Sequence, residues 1–308
     1  MNFLYKDALY YAYWGFIIGD AFGVPFEFKT REEMKLSPVS TMTGWGFHNQ
    51  PAGTWSDDTS MMLCVLENIS EKGNATTLAQ KFRGWFKDGH YTAHDKIFDI
   101  GNTTLVAIER IIEGVPALQC GKNIQHNAGN GALMRSIPYA FMQDFSKGNF
   151  RMVIENKITH ANSLSNYCCN YYTKLIRSLA EGKNKADATK TARGWLQFGW
   201  RITDDDCQEV QQPFQRLFGS DFAKTEEHQI KSTGYVIETL EAVVWCFMNS
   251  TSYEDAVLKA VHLGGDTDTI AALTGALAAV YYQQLPEAWK SSVVKHNWLE
   301  RFFERKVV

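Results

Sequence analysis

Apolar positions along this chain recur three and four residues apart, and almost never two apart. Met62, Val65, Leu66 and Ile69 mark one helical face; Leu105, Ile108 and Ile112 mark another. The same spacing returns in Leu164, Tyr167, Tyr171 and Leu175, and in Val236, Leu240, Val243 and Phe247. Convincing period-two runs are absent, so the pattern predicts an all-α protein with functional groups on connecting loops and first helical turns. A second signal is steric. Ala8, Ala12, Gly15, Gly19 and Gly23 give the first helix a smooth face, and Ala271, Gly275, Ala278 and Ala279 form a similar stripe near the other end. These stripes are expected to pack together and join the two ends inside the core.

The 308 residues, 45% hydrophobic and 21% charged, hold enough apolar mass for one sizeable core. No repeat, low-complexity segment or Pro/Gly/Ser linker divides them, so one domain over residues 1–308 is expected. A net charge of −3 with scattered Lys and Arg excludes a basic footprint, and nucleic acid is not expected as a partner. The six cysteines lack CxxC spacing and read as reduced thiols. The apolar stretch Ala8 to Ile18 is too short to span a membrane and runs into Asp20, so no membrane association and a cytoplasmic location are expected.

The chemistry concentrates in two acidic clusters. Ser56-Asp57-Asp58-Thr59 stands just before the apolar period that starts at Met61, where one ordinary explanation is a helix cap worth about 0.3–1 kcal/mol per carboxylate. A second cluster, Gly264-Gly265-Asp266-Thr267-Asp268-Thr269, precedes another apolar helix, and capping does not need so many carboxylates and hydroxyls. Hard cations such as Mg²⁺ and Mn²⁺ take these oxygens, and two such clusters suffice for an ion pair roughly 3.5–4 Å apart. An EF-hand is rejected, because counting from Asp266 puts Ala271 where glycine is needed and Leu277 where a bidentate glutamate is needed. Asp204, Asp205 and Asp206 read as a solvated loop, and Cys120-Gly121-Lys122-Asn123 lacks phosphate-loop spacing. The turn from Asn127 to Ala132 could offer backbone N–H groups to a diphosphate at the start of a helix through Leu133 and Met134, although a Gly-Asn-Gly turn more often only redirects the chain. His160 is a candidate contact for phosphate or ribose, and the loop Trp45-Gly46-Phe47-His48 receives no role.

Six motifs taken in order carry a wider resemblance: Gly15 to Gly23 with Pro25 and Glu27, Trp55 to Thr59, Phe98 to Asn102, Asn130 to Arg135, Thr159-His160, and Gly264 to Thr269. On them the chain resembles the ADP-ribosylglycohydrolase family. The resemblance implies an all-α, single-domain orthogonal multi-helix bundle with a binuclear metal site in a central cleft. It implies two Mg²⁺ or Mn²⁺ ions on Ser56, Asp57, Asp58, Asp266, Asp268 and Thr269. It further places Glu27 at the site's edge, Asn102, Gly129, Asn130, Gly131 and His160 on the substrate, and Tyr235 on adenine. Asp99 matches a position facing the guanidinium of a modified arginine, which suits a carboxylate physically. The expected activity is metal-dependent release of ADP-ribose from a modified protein side chain, arginine above others, with Asp57, Asp58, Asp99 and Glu27 in catalysis. The alternatives are an ADP-ribose-binding or immunity protein that contacts an ADP-ribosyltransferase, and a two-metal hydrolase of small ADP-ribose or nucleotide substrates.

Overall fold

A computed structural model describes residues 3–123, 128–199 and 207–308; Asn127 and the acidic run Asp204 to Asp206 lie outside them. In chain order the α-helices are α1 (Lys6–Gly23), α2 (Arg31–Leu36), α3 (Asp57–Ser70), α4 (Ala75–Asp88) and α5 (Asn102–Ile112). Next come α6 (Ile137–Ala140), α7 (Phe145–Asn156), α8 (Ser163–Ala180), α9 (Lys185–Gly194) and α10 (Cys207–Phe218). The last are α11 (Val236–Met248), α12 (Tyr253–His262), α13 (Thr267–Tyr282), α14 (Glu287–Ser292) and α15 (His296–Val307). Among the described residues there are isolated β-bridges but no strands, so the fold is all-α as the periodicity predicts.

The centre is the pair α1 and α13, and the two stripes of small residues do meet there. A Cβ added to Gly15 would lie 2.4 Å from the Ala279 Cβ and 2.5 Å from the Gly275 carbonyl oxygen. One on Gly19 would lie 2.2 Å from the Ala271 carbonyl oxygen, and one on Gly23 2.4 Å from the Asp268 Cα. Only glycine permits this backbone approach. Both helices are apolar nearly all round, which suits elements buried on every side. Around them pack α3, α8, α11 and α12. The Tyr253 hydroxyl donates to the Gly15 carbonyl at 2.9 Å, and that of Tyr172 to Leu273 at 2.8 Å, so the helices that close over the pair also satisfy its polar groups.

This packing has a consequence for the site. Because Gly23 rests on Asp268, the end of α1 and the start of α13 lie side by side. The start of α3 reaches the same place through Asp20. Among the described residues no helix is long and apolar enough to cross a membrane.

Candidate functional site

The start of α3 explains why its acidic residues are not simply caps. Ser56 is extended and its hydroxyl accepts the Asp58 N–H at 3.2 Å, so the capping role expected of it is real. The stronger cap comes from α1. Asp20 accepts the Ser56 N–H at 3.0 and 3.1 Å, the Thr59 N–H at 3.1 Å and the Thr59 hydroxyl at 2.5 Å. With the exposed helix donors thus satisfied, Asp57 and Asp58 are left to face the cavity. Asp58 is 2% exposed, and its Oδ1 is buried without a hydrogen-bond partner. Its Oδ2 accepts the hydroxyls of Ser56 at 3.1 Å and Thr269 at 3.2 Å.

The start of α13 is shaped by two glycines. Gly264 and Gly265 have φ of +69° and +77°, and a Cβ on Gly265 would lie 2.0 Å from the Ser232 carbonyl oxygen. The turn is tied by Gly265 N–H to Lys29 O and by Asp266 N–H to Ser232 O, each 2.8 Å. It aims both carboxylates inward. Ligand atoms of Asp20, Asp58 and Asp268 lie within 4.8 Å of one another, as do those of Glu27, Asp266 and Asp268. Asp268 belongs to both groups, so the two groups adjoin.

Burial, and then mutual repulsion, raises the pKa of Asp57, Asp58 and Asp268 well above the usual carboxylate range. Burial also raises Asp20 to about 6, against the lowering effect of its bonds to Thr59 and Ser56. So many carboxylates in one enclosed place are compatible with full ionisation only if positive charge joins them. Asp58 Oδ1, buried and unpartnered, is the atom that most directly calls for such a charge. The donor set, all carboxylate and hydroxyl oxygen, fits hard divalent cations.

At the rim, Glu27, His48 and Asp99 form a third group within 4.8 Å. Glu27 is raised to about 7 by burial, against its hydrogen bond from His48. Burial pushes His48 down, but the bond to Glu27 and the nearby Asp99 more than offset this and raise it. His48 and Asp20 are two titratable residues of the site to which the sequence reading gave no role. Gly46 is the signal for the first: its φ is +69°, and a Cβ there would lie 1.9 Å from the Pro25 carbonyl oxygen, fixing the aromatic loop beside Glu27.

The chain around the Gly129–Gly131 turn departs from the expected backbone geometry. Residues 131–135 form turns, and the helix expected through Leu133 and Met134 begins only at Ile137, because Pro138 has no N–H to continue it from Met134. The Asn130 N–H donates to the Gly234 carbonyl at 3.1 Å, so it is not presented to a phosphate. The Asn130 side-chain amide donates to Asp266 Oδ2 at 2.6 Å and to Thr239 Oγ1 at 3.0 Å, which makes it an orienting partner of Asp266. Gly129, Gly131, Asn102 and His160 do line the cavity. A Cβ on Gly131 would lie 2.8 Å from the His160 ring. Burial, with Arg135 close by, lowers His160 to about 3 and keeps it neutral. Its Nδ1 lies 2.8 Å from Thr159 Oγ1, which accepts Arg135 Nη2–H at 2.7 Å. With the Thr159 hydroxyl donating to Nδ1, the ring proton stays on Nε2 as a donor. Tyr235 is not among the described residues lining the cavity; it packs half-buried against the core, while Thr233 and Gly234 reach the cavity instead. Ser56 holds Asp58 through its hydroxyl, which donates to Asp58 Oδ2.

The result is a cavity of about 620 Å³ lined by the carboxylates together with the Gly129–Gly131 turn, Asn102 and His160. Residues 3–308 match the ADP-ribosylglycohydrolase family. Over 301 residues the chain is 30% identical to "ADP-ribosylarginine hydrolase Tri1" of Serratia proteamaculans (strain 568), covering 94% of this chain and 76% of that protein. It is 25% identical to "ADP-ribosyl-[dinitrogen reductase] glycohydrolase" of Rhodospirillum rubrum, covering 92% and 88%. A solved structure titled "ADP-ribosylglycohydrolase-related protein complex" shares the fold with a TM-score of 0.78 at 24% identity, over 97% of this chain and 96% of that one. The chain belongs to the ADP-ribosylglycohydrolase family, and it is accordingly an ADP-ribosyl hydrolase, a glycosidase.

Proposed function

We propose that the enzyme hydrolyses the N-glycosidic bond between ADP-ribose and a modified arginine of a protein, using two divalent cations, Mg²⁺ or Mn²⁺. The whole chain, 1–308, acts as one catalytic domain in this reading, and an ADP-ribosyltransferase is its counterpart. A reducing, cytoplasmic setting is supported by Cys64, Cys120, Cys168, Cys169 and Cys246, all buried free thiols. The observation that carries the reading is the convergence of α1, α3 and α13 on Asp58, whose buried Oδ1 lacks a partner. Relatives named for ADP-ribosylarginine and ADP-ribosyl-[dinitrogen reductase] add support for a protein substrate.

Asp57, Asp58, Asp266, Asp268 and Thr269 would hold the cations, with Ser56 and Asp20 orienting Asp58 and the first turn of α3. When bound, the cations would orient the ribose through its hydroxyls and lower the pKa of the attacking water. A water oxygen joins the anomeric carbon as the bond to the guanidine nitrogen breaks. Glu27, held by His48, accepts the water's proton; the bonding pair stays on the guanidine nitrogen, and that same proton passes to it beside Asp99, so the leaving group departs as guanidinium and Glu27 is regenerated. His160 Nε2–H and the Gly129–Gly131 turn bind ribose or diphosphate oxygens across the cavity.

Asp99 decides the linkage in this reading, because a serine-linked substrate offers no planar cation to pair with. Asp99→Asn should lose about 100-fold in kcat/KM on arginine-linked ADP-ribose, the scale of one positioned acid–base or charge contact, and much less on a serine-linked peptide. Equal losses on the two substrates would remove the linkage argument.

A further inference from the structure

We propose that Phe28 and Phe47 cradle the guanidinium plane of the modified arginine, which makes them specificity-determining residues; this rests on the arginine reading above. Both rings lie open to solvent, Phe28 57% and Phe47 70% exposed, although they meet edge to face at 4.7 Å. What sets this pair apart is that the two exposed rings touch each other and that one of them lines the cavity.

Phe28 is held outward by its backbone. Its φ is +67°, a left-handed conformation that is unfavourable for a bulky side chain. The conformation is enforced by the loop that carries Asp266: Phe28 N–H donates to Gly265 O at 2.8 Å, and Gly265 N–H to Lys29 O at 2.8 Å. The strain is therefore locked to the acidic cluster, and it presents a ring at the cavity wall directly after Glu27. Phe47 is fixed from the other side, with its ring 5.2 Å from His48, which bonds Glu27.

Two kinds of surface thus adjoin: the carboxylates of Glu27 and Asp99 with the Phe28 ring on the cavity wall, and Phe47 packed edge to face against Phe28. A guanidinium uses both, donating in-plane N–H bonds to carboxylates while its face stacks on an aromatic ring. The glycosidic oxygen of a serine linkage, with no N–H to donate and no planar cation, uses neither. Charge complementarity and ring exposure together select a planar cation as the occupant.

The test compares wild type, F28A, F47A and F28W on free ADP-ribosylarginine and on a serine-ADP-ribosylated peptide, with ADP-ribose affinity measured by calorimetry. The expected result is a rise of about 10-fold in KM for ADP-ribosylarginine in F28A and a smaller rise in F47A, from loss of a cation–aromatic contact. ADP-ribose affinity should stay within about twofold, as the lost contact is to the arginine alone, and F28W should restore KM. If wild type acts on ADP-ribosylarginine while F28A and F47A both keep its KM, the cradle is wrong and the arginine reading stands. A parallel loss of ADP-ribose affinity would also overturn the cradle, since the rings would then hold the nucleotide. If wild type acts only on the serine peptide, the arginine reading falls and takes the cradle with it.

Discussion

The carboxylate of Asp20, on α1, accepts both the backbone N–H and the hydroxyl of Thr59, on α3. This one group caps the helix that supplies Asp57 and Asp58, and it sits within 4.8 Å of ligand atoms of Asp58 and Asp268. Asp20→Asn keeps the shape and removes the charge. Supporting groups of this kind typically change metal affinity by about 10–100-fold, so Mg²⁺ or Mn²⁺ affinity, measured by calorimetric titration, should fall by that factor. Unchanged affinity would mean that Asp20 is only a helix cap.

Gly19→Ala tests the steric basis of the fold. The added methyl would lie 2.2 Å from the Ala271 carbonyl oxygen, which is backbone and cannot swing aside. Overpacking of this kind costs about 1–3 kcal/mol, and the upper end is expected here. A denaturant midpoint within error of wild type would show that α1 and α13 can separate without loss.

That helix pair was legible in the sequence because small residues at helical spacing specify a close approach whatever the partner's identity. The Asp266 to Thr269 cluster was legible because it holds more oxygen ligands than a cap needs. Asp20 was not, since within its own helix it is one polar residue among apolar ones, and its meaning appears only when Ser56 and Thr59 arrive over it. His48 needed the contact of Gly46 with Pro25 to bring its loop to Glu27. The helix expected through Leu133 failed for a local reason that was available, the missing N–H of Pro138. Tyr235 was placed on adenine by the resemblance and belongs to none of the six motifs; it is half-buried against the core.

The acidic site should make stability depend on pH when cations are chelated. Unfolded carboxyls titrate near 4, whereas burial raises Asp20 to about 6 and Glu27 to about 7 in the fold. The folded protein then binds more protons between these values, so stability is greatest below about pH 4 as far as these groups are concerned and falls as pH rises through about 7. Added Mg²⁺ should raise Tm more at pH 8 than at pH 5. Thermal unfolding with chelator and with cation at both pH values measures this; an equal rise at both would contradict it.

His160 stays neutral well below physiological pH. Loss of its Nε2–H bond in His160→Ala should weaken ADP-ribose binding by about 10-fold, the worth of one buried hydrogen bond. The wild-type affinity should show no titration attributable to His160 between pH 5 and 8. Calorimetry across that range checks both statements.

ADP-ribose release from arginine-modified and serine-modified proteins, with Mg²⁺ or Mn²⁺ and then with chelator, decides whether the enzyme is a cation-dependent arginine-directed hydrolase. The expected result is release from arginine that requires the cation and is abolished in Asp268→Ala, because Asp268 belongs to both cation groups. Release that persists in chelator, or that comes only from serine, would contradict it.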